Sequence, residues 1–265
     1  GDIHWDEWLA QREEVRRRVA AFINAEPDEV AFTINTSSGM NVIIDALDNH
    51  GEVISCDLEF PVSTLPWMNR RIPIHLVKSH EGRVSVQDLR DAMNVRSGVI
   101  CLSHVQFSNG FRTDLEELGN AKGGHALVVN AAQSAGAFAI DVKRMKIDAL
   151  CATGHKWLLS GYGSGFVYLS RELQAVSKPH AIGWLSLQDP FTMRNDEAHL
   201  RHDAAARARR AFRPDGQQVV AVERLAGGQL VARHGCERRH EIHLARERGA
   251  DFARGDLAGP THHQG

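Results

Sequence analysis

Apolar and polar positions follow two rhythms along this chain. Over residues 5–24, Trp8, Leu9, Val15, Val19, Phe22 and Ile23 return close to one face of a helix, with Arg16, Arg17 and Arg18 largely on the other. Short β-rich runs follow at 30–34, 53–56 (VISC), 74–77 (IHLV), 99–105 (VICLSHV), 126–130 (ALVVN) and 147–152 (IDALCA). Helical patterns cover 40–47, 85–94 and 113–122, and the glycine-punctuated run GYGSGFVYL at 161–169 predicts a further strand. Near-continuous apolar strands alternating with helices predict an α/β fold: a mixed, mainly parallel sheet flanked by helices on both faces.

Composition changes this picture in one place. Across all 265 residues, 43% hydrophobic and 24% charged positions are ordinary for a globular chain, which is long enough for one large domain or two modest ones. No apolar run approaches the roughly 20 residues of a membrane span, and the acidic, amphipathic start does not resemble a secretory signal. Cys56, Cys101, Cys151 and Cys236 lack CxxC spacing, which argues against a zinc ribbon or a disulfide scaffold. A cytoplasmic location without a membrane partner is the expectation. The net charge of −2, however, hides a break near residue 205. Residues 201–265 hold 12 Arg against 8 Asp plus Glu and no Lys, Ser, Asn, Met, Tyr or Trp.

Three stretches at predicted strand ends carry candidate chemistry, and open α/β sheets bind ligands beyond such ends. Thr36, Ser37, Ser38 and Gly39 open a helix with small hydroxyl residues, which suits a phosphate or a plain N-cap. Asn130 and Gln133 place two amides after a strand, able to hold a heteroaromatic ring by its edge or to serve as turn residues. Thr153, Gly154, His155, Lys156 and Trp157 follow another strand. A lysine there is either solvated or, among apolar neighbours, a Schiff-base nucleophile of lowered pKa.

Taken in order, a hydroxyl-rich helix start, an amide pair and a strand-end lysine resemble the class V aminotransferase family of pyridoxal-phosphate enzymes. The matching text is VVNAAQSAGAFAIDVKRMKIDALCATGHKWLLSGYGSGFVYLS, within a resemblance that runs from about residue 3 to 205. It implies the large domain of a fold-type I enzyme, an amino-acid substrate, and a homodimer as in the parent family. It further implies that Lys156 carries pyridoxal 5'-phosphate as a Schiff base and later shuttles a substrate proton. Thr153 and His155, with Thr36, Ser37 and Ser38, would reach the phosphate, and Gln133 the phenolic oxygen. LEFPVSTLPW looks like the family's ring-stacking loop, so Phe60 would cover one ring face or else serve as a core aromatic. SHVQFSNG at 103–110 adds His104, Ser108 and Asn109 as candidates without roles.

Two departures stand out. Many members carry Asp at the position of Asn130, whose neutral amide hydrogen-bonds without supplying charge. From about Ala208 the text no longer matches the family's small C-terminal domain and reads like GC-rich coding sequence in another frame. The division expected is therefore 1–205 as an N-terminally incomplete cofactor-binding domain and 206–265 as an aberrant, poorly packed tail with some helix near 238–248. Interspersed carboxylates and the absence of an aromatic stripe argue against nucleic acid on its arginines. Its histidines lack metal-ligand spacing. The expected function is class V aminotransferase-like catalysis on an amino acid. A cysteine desulfurase, kynureninase-like lyase or epimerase is the alternative, and a non-catalytic remnant that only binds the cofactor is another.

Overall fold

The computed structural model describes residues 4–47 and 49–177, together with the backbone of 220–224 and 230–234. Seven strands form one sheet: β1 (Val30–Thr33), β2 (Glu52–Cys56), β3 (Ile74–Val77), β4 (Ser97–Ser103), β5 (Ala126–Asn130), β6 (Ala149–Thr153) and β7 (Gly165–Leu169). Their order is β1-β7-β6-β5-β4-β2-β3. Neighbours from β3 through β6 pair in parallel, while β7 is antiparallel to both β6 and β1. Two reversals bring β1 back into the common direction, so six strands end at the same edge. This is the mixed, mainly parallel sheet expected.

Helices α1 (Trp5–Phe22), α2 (Thr36–Ala46), α3 (Leu65–Asn69), α4 (Val86–Ala92), α5 (Leu115–Ala121) and α6 (Arg171–Val176) surround it. The central strands are buried on both faces, which is why they read as unbroken apolar runs. On one face Ile100, Leu102, Leu127 and Val129 pack with Ala20, Leu89, Leu115 and Leu118. On the other, Val99, Val128 and Cys151 pack with Met40, Ile43 and Ile44 of α2 and with Trp67 of α3. Full burial of each such isoleucine contributes about 1.5–3 kcal/mol. α2 lies close because Gly39 has no side chain: a Cβ there would stand 2.8 Å from the Cβ of Cys151.

The inward face of α1 differs from the apolar stripe expected. Arg16 is buried, donates to the Val30 carbonyl oxygen and sits over the Phe32 ring, whereas Trp8 and Phe22 are half-exposed. A long arginine buries its stem while its guanidinium satisfies a strand carbonyl, a pairing that polarity alone does not reveal. β8 (Val220–Arg224) and β9 (Leu230–His234) form an antiparallel pair in a stretch where no strand was expected. The rest of 206–265, with the helix expected near 238–248, lies outside the described residues. No described helix is long and apolar enough to cross a membrane. Among the described residues, no group of three His, Cys, Asp or Glu could hold a metal ion.

Candidate functional site

The common strand direction gathers the candidate residues at one edge of the sheet. α2 starts just beyond β1, and its start is closed by Asn35. That side chain accepts the Ser38 N–H at 2.9 Å, while the Ser38 hydroxyl accepts the Asn35 N–H and donates to the Asn35 carbonyl. Ser38 is thus committed to the cap. Ser37 is exposed, and the Thr36 hydroxyl is buried without a partner, as is that of Thr33 on β1. Such an orphaned hydroxyl beside the open N–H groups of a helix start fits a phosphate.

At the end of β5, Asn130 is buried, and each end of its amide makes one hydrogen bond, which leaves a second Nδ2 N–H to donate. Nδ2 donates to Ser63 Oγ at 3.1 Å, and Oδ1 accepts the Ala132 N–H at 3.0 Å. Three residues on, Gln133 Oε1 accepts from the Trp157 indole at 3.3 Å, which leaves its Nε2 as the donor for a ligand. Gly136 lets the same turn approach the strand-end loop, since a Cβ there would meet the Trp157 carbonyl oxygen at 2.2 Å.

Beyond β6, the Thr153 hydroxyl and His155 Nδ1 lie 2.9 Å apart, and the His155 ring stacks on Tyr162 at 4.4 Å. With Nδ1 engaged, Nε2 is the imidazole nitrogen left to face a ligand. Lys156 is half-buried, and its Nζ lies 5.8 Å from the centre of the Phe60 ring. Burial lowers its pKa below the ordinary lysine value. Phe60 is 44% exposed, so it is not a core aromatic. It meets Phe107 edge-on with centroids 5.2 Å apart.

Lys156 therefore lies beside Phe60, Gln133 meets Trp157, and Thr153 meets His155, all beyond the ends of β2, β5 and β6. Ser63, Phe107 and Tyr162 are additions that the sequence reading did not single out. Phe107 lies within the flagged 103–110 stretch, Tyr162 within the glycine-rich turn and Ser63 within the LEFPVSTLPW stretch, but the sequence reading assigns no role to any of them.

His104 belongs to a different environment. It is 4% exposed, its Nδ1 has no partner, and its ring faces Phe138 at 6.1 Å. Burial first and the Arg112 charge second push its pKa down to about 4, against a smaller opposing pull from Asp114. The folded state therefore refuses a proton that the unfolded chain takes near pH 6.5. Above that pH the stability linked to His104 is complete, and it is lost as pH falls from about 6.5 to 4, by roughly 3 kcal/mol. Urea unfolding across this window should show the loss in the wild-type chain and a shallower pH slope in His104→Gln. Equal slopes would place the titration elsewhere.

Comparison with known proteins places the chain in a family. The sequence pattern of the aminotransferase class-V family matches residues 6–196. A probable cysteine desulfurase of Methanothermobacter thermautotrophicus is 28% identical over 245 residues, covering 87% of this chain and 60% of the relative. Isopenicillin N epimerase of Amycolatopsis lactamdurans is 28% identical over 189 residues, covering 64% and 46%. The chain thus spans about half of the length of the curated relatives it matches. The apo structure of a cysteine desulfurase from Thermococcus onnurineus NA1 superposes with a TM-score of 0.66 at 25% identity, covering 77% of this chain and 57% of that one. With the family pattern extending over well more than half of its residues and the sheet edge built as described, this chain belongs to the class-V aminotransferase family.

Proposed function

We propose that the chain is the pyridoxal-phosphate platform of an enzyme acting on an amino acid, with Lys156 as the covalent anchor of the cofactor. The setting of the Lys156 amine carries this reading: it is half-buried, its pKa is lowered by partial desolvation, and it lies beside an open aromatic face. A lysine whose charged form is disfavoured offers more free amine to an aldehyde. Pyridoxal phosphate, when bound, supplies that aldehyde and an electron-withdrawing ring conjugated to it. Thr36, Ser37 and the helix start that Ser38 closes would hold its phosphate, together with Thr153 and His155. Gln133 would donate to its phenolic oxygen, Asn130 would serve its ring nitrogen, and Phe60 would cover one face. Once released, the Lys156 amine is the group placed to take and return a substrate proton. A homodimer belongs to the same proposal.

Class V aminotransferase-like catalysis is the reading favoured over desulfuration. A desulfurase needs a nucleophilic thiol to receive sulfur. Cys56, Cys101 and Cys151 are buried, and desolvation pushes the thiols of Cys56 and Cys151 up to about 12 and that of Cys101 well above its usual value. None of these three is such a nucleophile, so a sulfur-accepting thiol would have to lie outside the described residues, as Cys236 does. The test incubates the full chain with pyridoxal phosphate and a panel containing alanine, cysteine and kynurenine in deuterated water. Solvent exchange of an α-proton with at least one of them, followed by a keto-acid product, is the expected result. Cofactor binding without exchange or product would favour the non-catalytic remnant and contradict this proposal.

A further inference from the structure

The loop that carries Phe60 is tied to the end of β4 by a side chain in addition to its own backbone bonds. Between β2 and the 3-10 turn Pro61–Ser63, main-chain bonds run from Asp57 N to Val77 O at 3.1 Å, from Glu59 N to Cys56 O at 3.5 Å and from Ser63 N to Phe60 O at 2.9 Å, and the Asp57 carboxylate accepts the Ser79 N–H at 3.0 Å. The Glu59 carboxylate supplies the stronger tether. Oε1 accepts from Ser103 N and from Gln106 Nε2, both at 2.7 Å, and Oε2 accepts from Ser103 Oγ at 2.6 Å. Ser103 and Gln106 are themselves buried at the end of β4. The residue after Gln106 is Phe107, whose ring meets Phe60 at an interplanar angle of 80°. Carboxylate and ring therefore bind neighbouring points of the same loop to neighbouring points of the same strand end.

From this double attachment we infer that Glu59 is a positioning residue: it fastens the 57–60 loop to the end of β4 so that Phe60 stands against Phe107 and beside the Lys156 amine. The inference rests on the proposed reading of Lys156 and Phe60. Three N–H and O–H donors converge on one carboxylate, with the Cys56 thiol a longer fourth at 3.7 Å, and the bonds made to an ionised group are among the stronger ones available. Without them, the Phe60 ring would be held to the end of β4 by its contact with Phe107 alone, and water would reach the face it covers. An amide can replace the carboxylate here. Its oxygen would keep the two N–H donors, and the Ser103 hydroxyl can turn to accept from the new amide nitrogen.

The experiment loads the full chain with pyridoxal phosphate, reduces it with borohydride and maps the labelled peptide. The fluorescence of the fixed phosphopyridoxyl group is then quenched with iodide, and its ellipticity is measured per mole of label. Glu59→Ala and Phe60→Leu should each raise the quenching constant about twofold or more and lower the ellipticity. The double variant should exceed neither single one by much, Glu59→Gln should stay close to wild type, and Phe107→Leu should fall between. Should Glu59→Ala not fold, Ser103→Ala removes one of the three bonds and should show a smaller change in the same direction. Label on Lys156 with quenching unmoved by Glu59→Ala (or by Ser103→Ala in its place) overturns this inference alone. Label absent from Lys156 in the wild-type chain removes the reading of the site and this inference with it.

Discussion

Replacing Lys156 with Met is expected to reduce α-proton exchange and product formation by about a thousandfold or more, because one side chain both anchors the cofactor and handles the proton. Saturating cofactor should not restore the rate. Lys156→Arg separates this role from simple attraction of a phosphate. It keeps the positive charge, yet a guanidinium with a pKa above about 12 offers no free amine to an aldehyde. Both variants should therefore be equally inactive while folding normally, since Lys156 is only half-buried and carries none of the core. Appreciable exchange in Lys156→Arg would make the residue a phosphate contact and end its role as the anchor.

Asn130→Asp is expected to act in the opposite direction. The replacement matches in shape, and the existing partners can serve it. The Ala132 N–H still has its acceptor, and the Ser63 hydroxyl that now accepts from Asn130 Nδ2 can turn to donate to a carboxylate. On the proposed reading, a carboxylate at this position favours a protonated ring nitrogen, which a neutral amide cannot do by charge. Each pKa unit of differential stabilisation is worth about 1.4 kcal/mol, so α-proton exchange should rise roughly tenfold per unit. The same buried charge should lower the stability of the cofactor-free chain in urea unfolding. A rate that does not rise would mean that another group serves the nitrogen or that the site works with it unprotonated.

Much of this fold is legible in the amino-acid sequence because the central strands are covered on both faces. ALVVN and ALCAT are continuous apolar runs, and they become β5 and β6 within a residue or two of where the pattern places them. The direction of β7 is not legible, since GFVYL would be equally apolar in a parallel strand. Nor is the burial of Arg16, which depends on a carbonyl 14 residues away. The site divides in the same way. Lys156, Gln133 and Thr36 follow strand ends and stand out by position. Glu59 and Ser63 gain their meaning from Ser103 and Asn130, 44 and 67 residues further along, and no local pattern encodes those encounters.

The most direct test of the account is chemical. The full chain, mixed with pyridoxal phosphate and reduced with borohydride, is digested and its peptides are mapped by mass. The account predicts a visible absorption band that borohydride removes, together with one phosphopyridoxyl group on the peptide holding Lys156. A label on a different lysine, or cofactor that binds yet leaves no label after reduction, would contradict it.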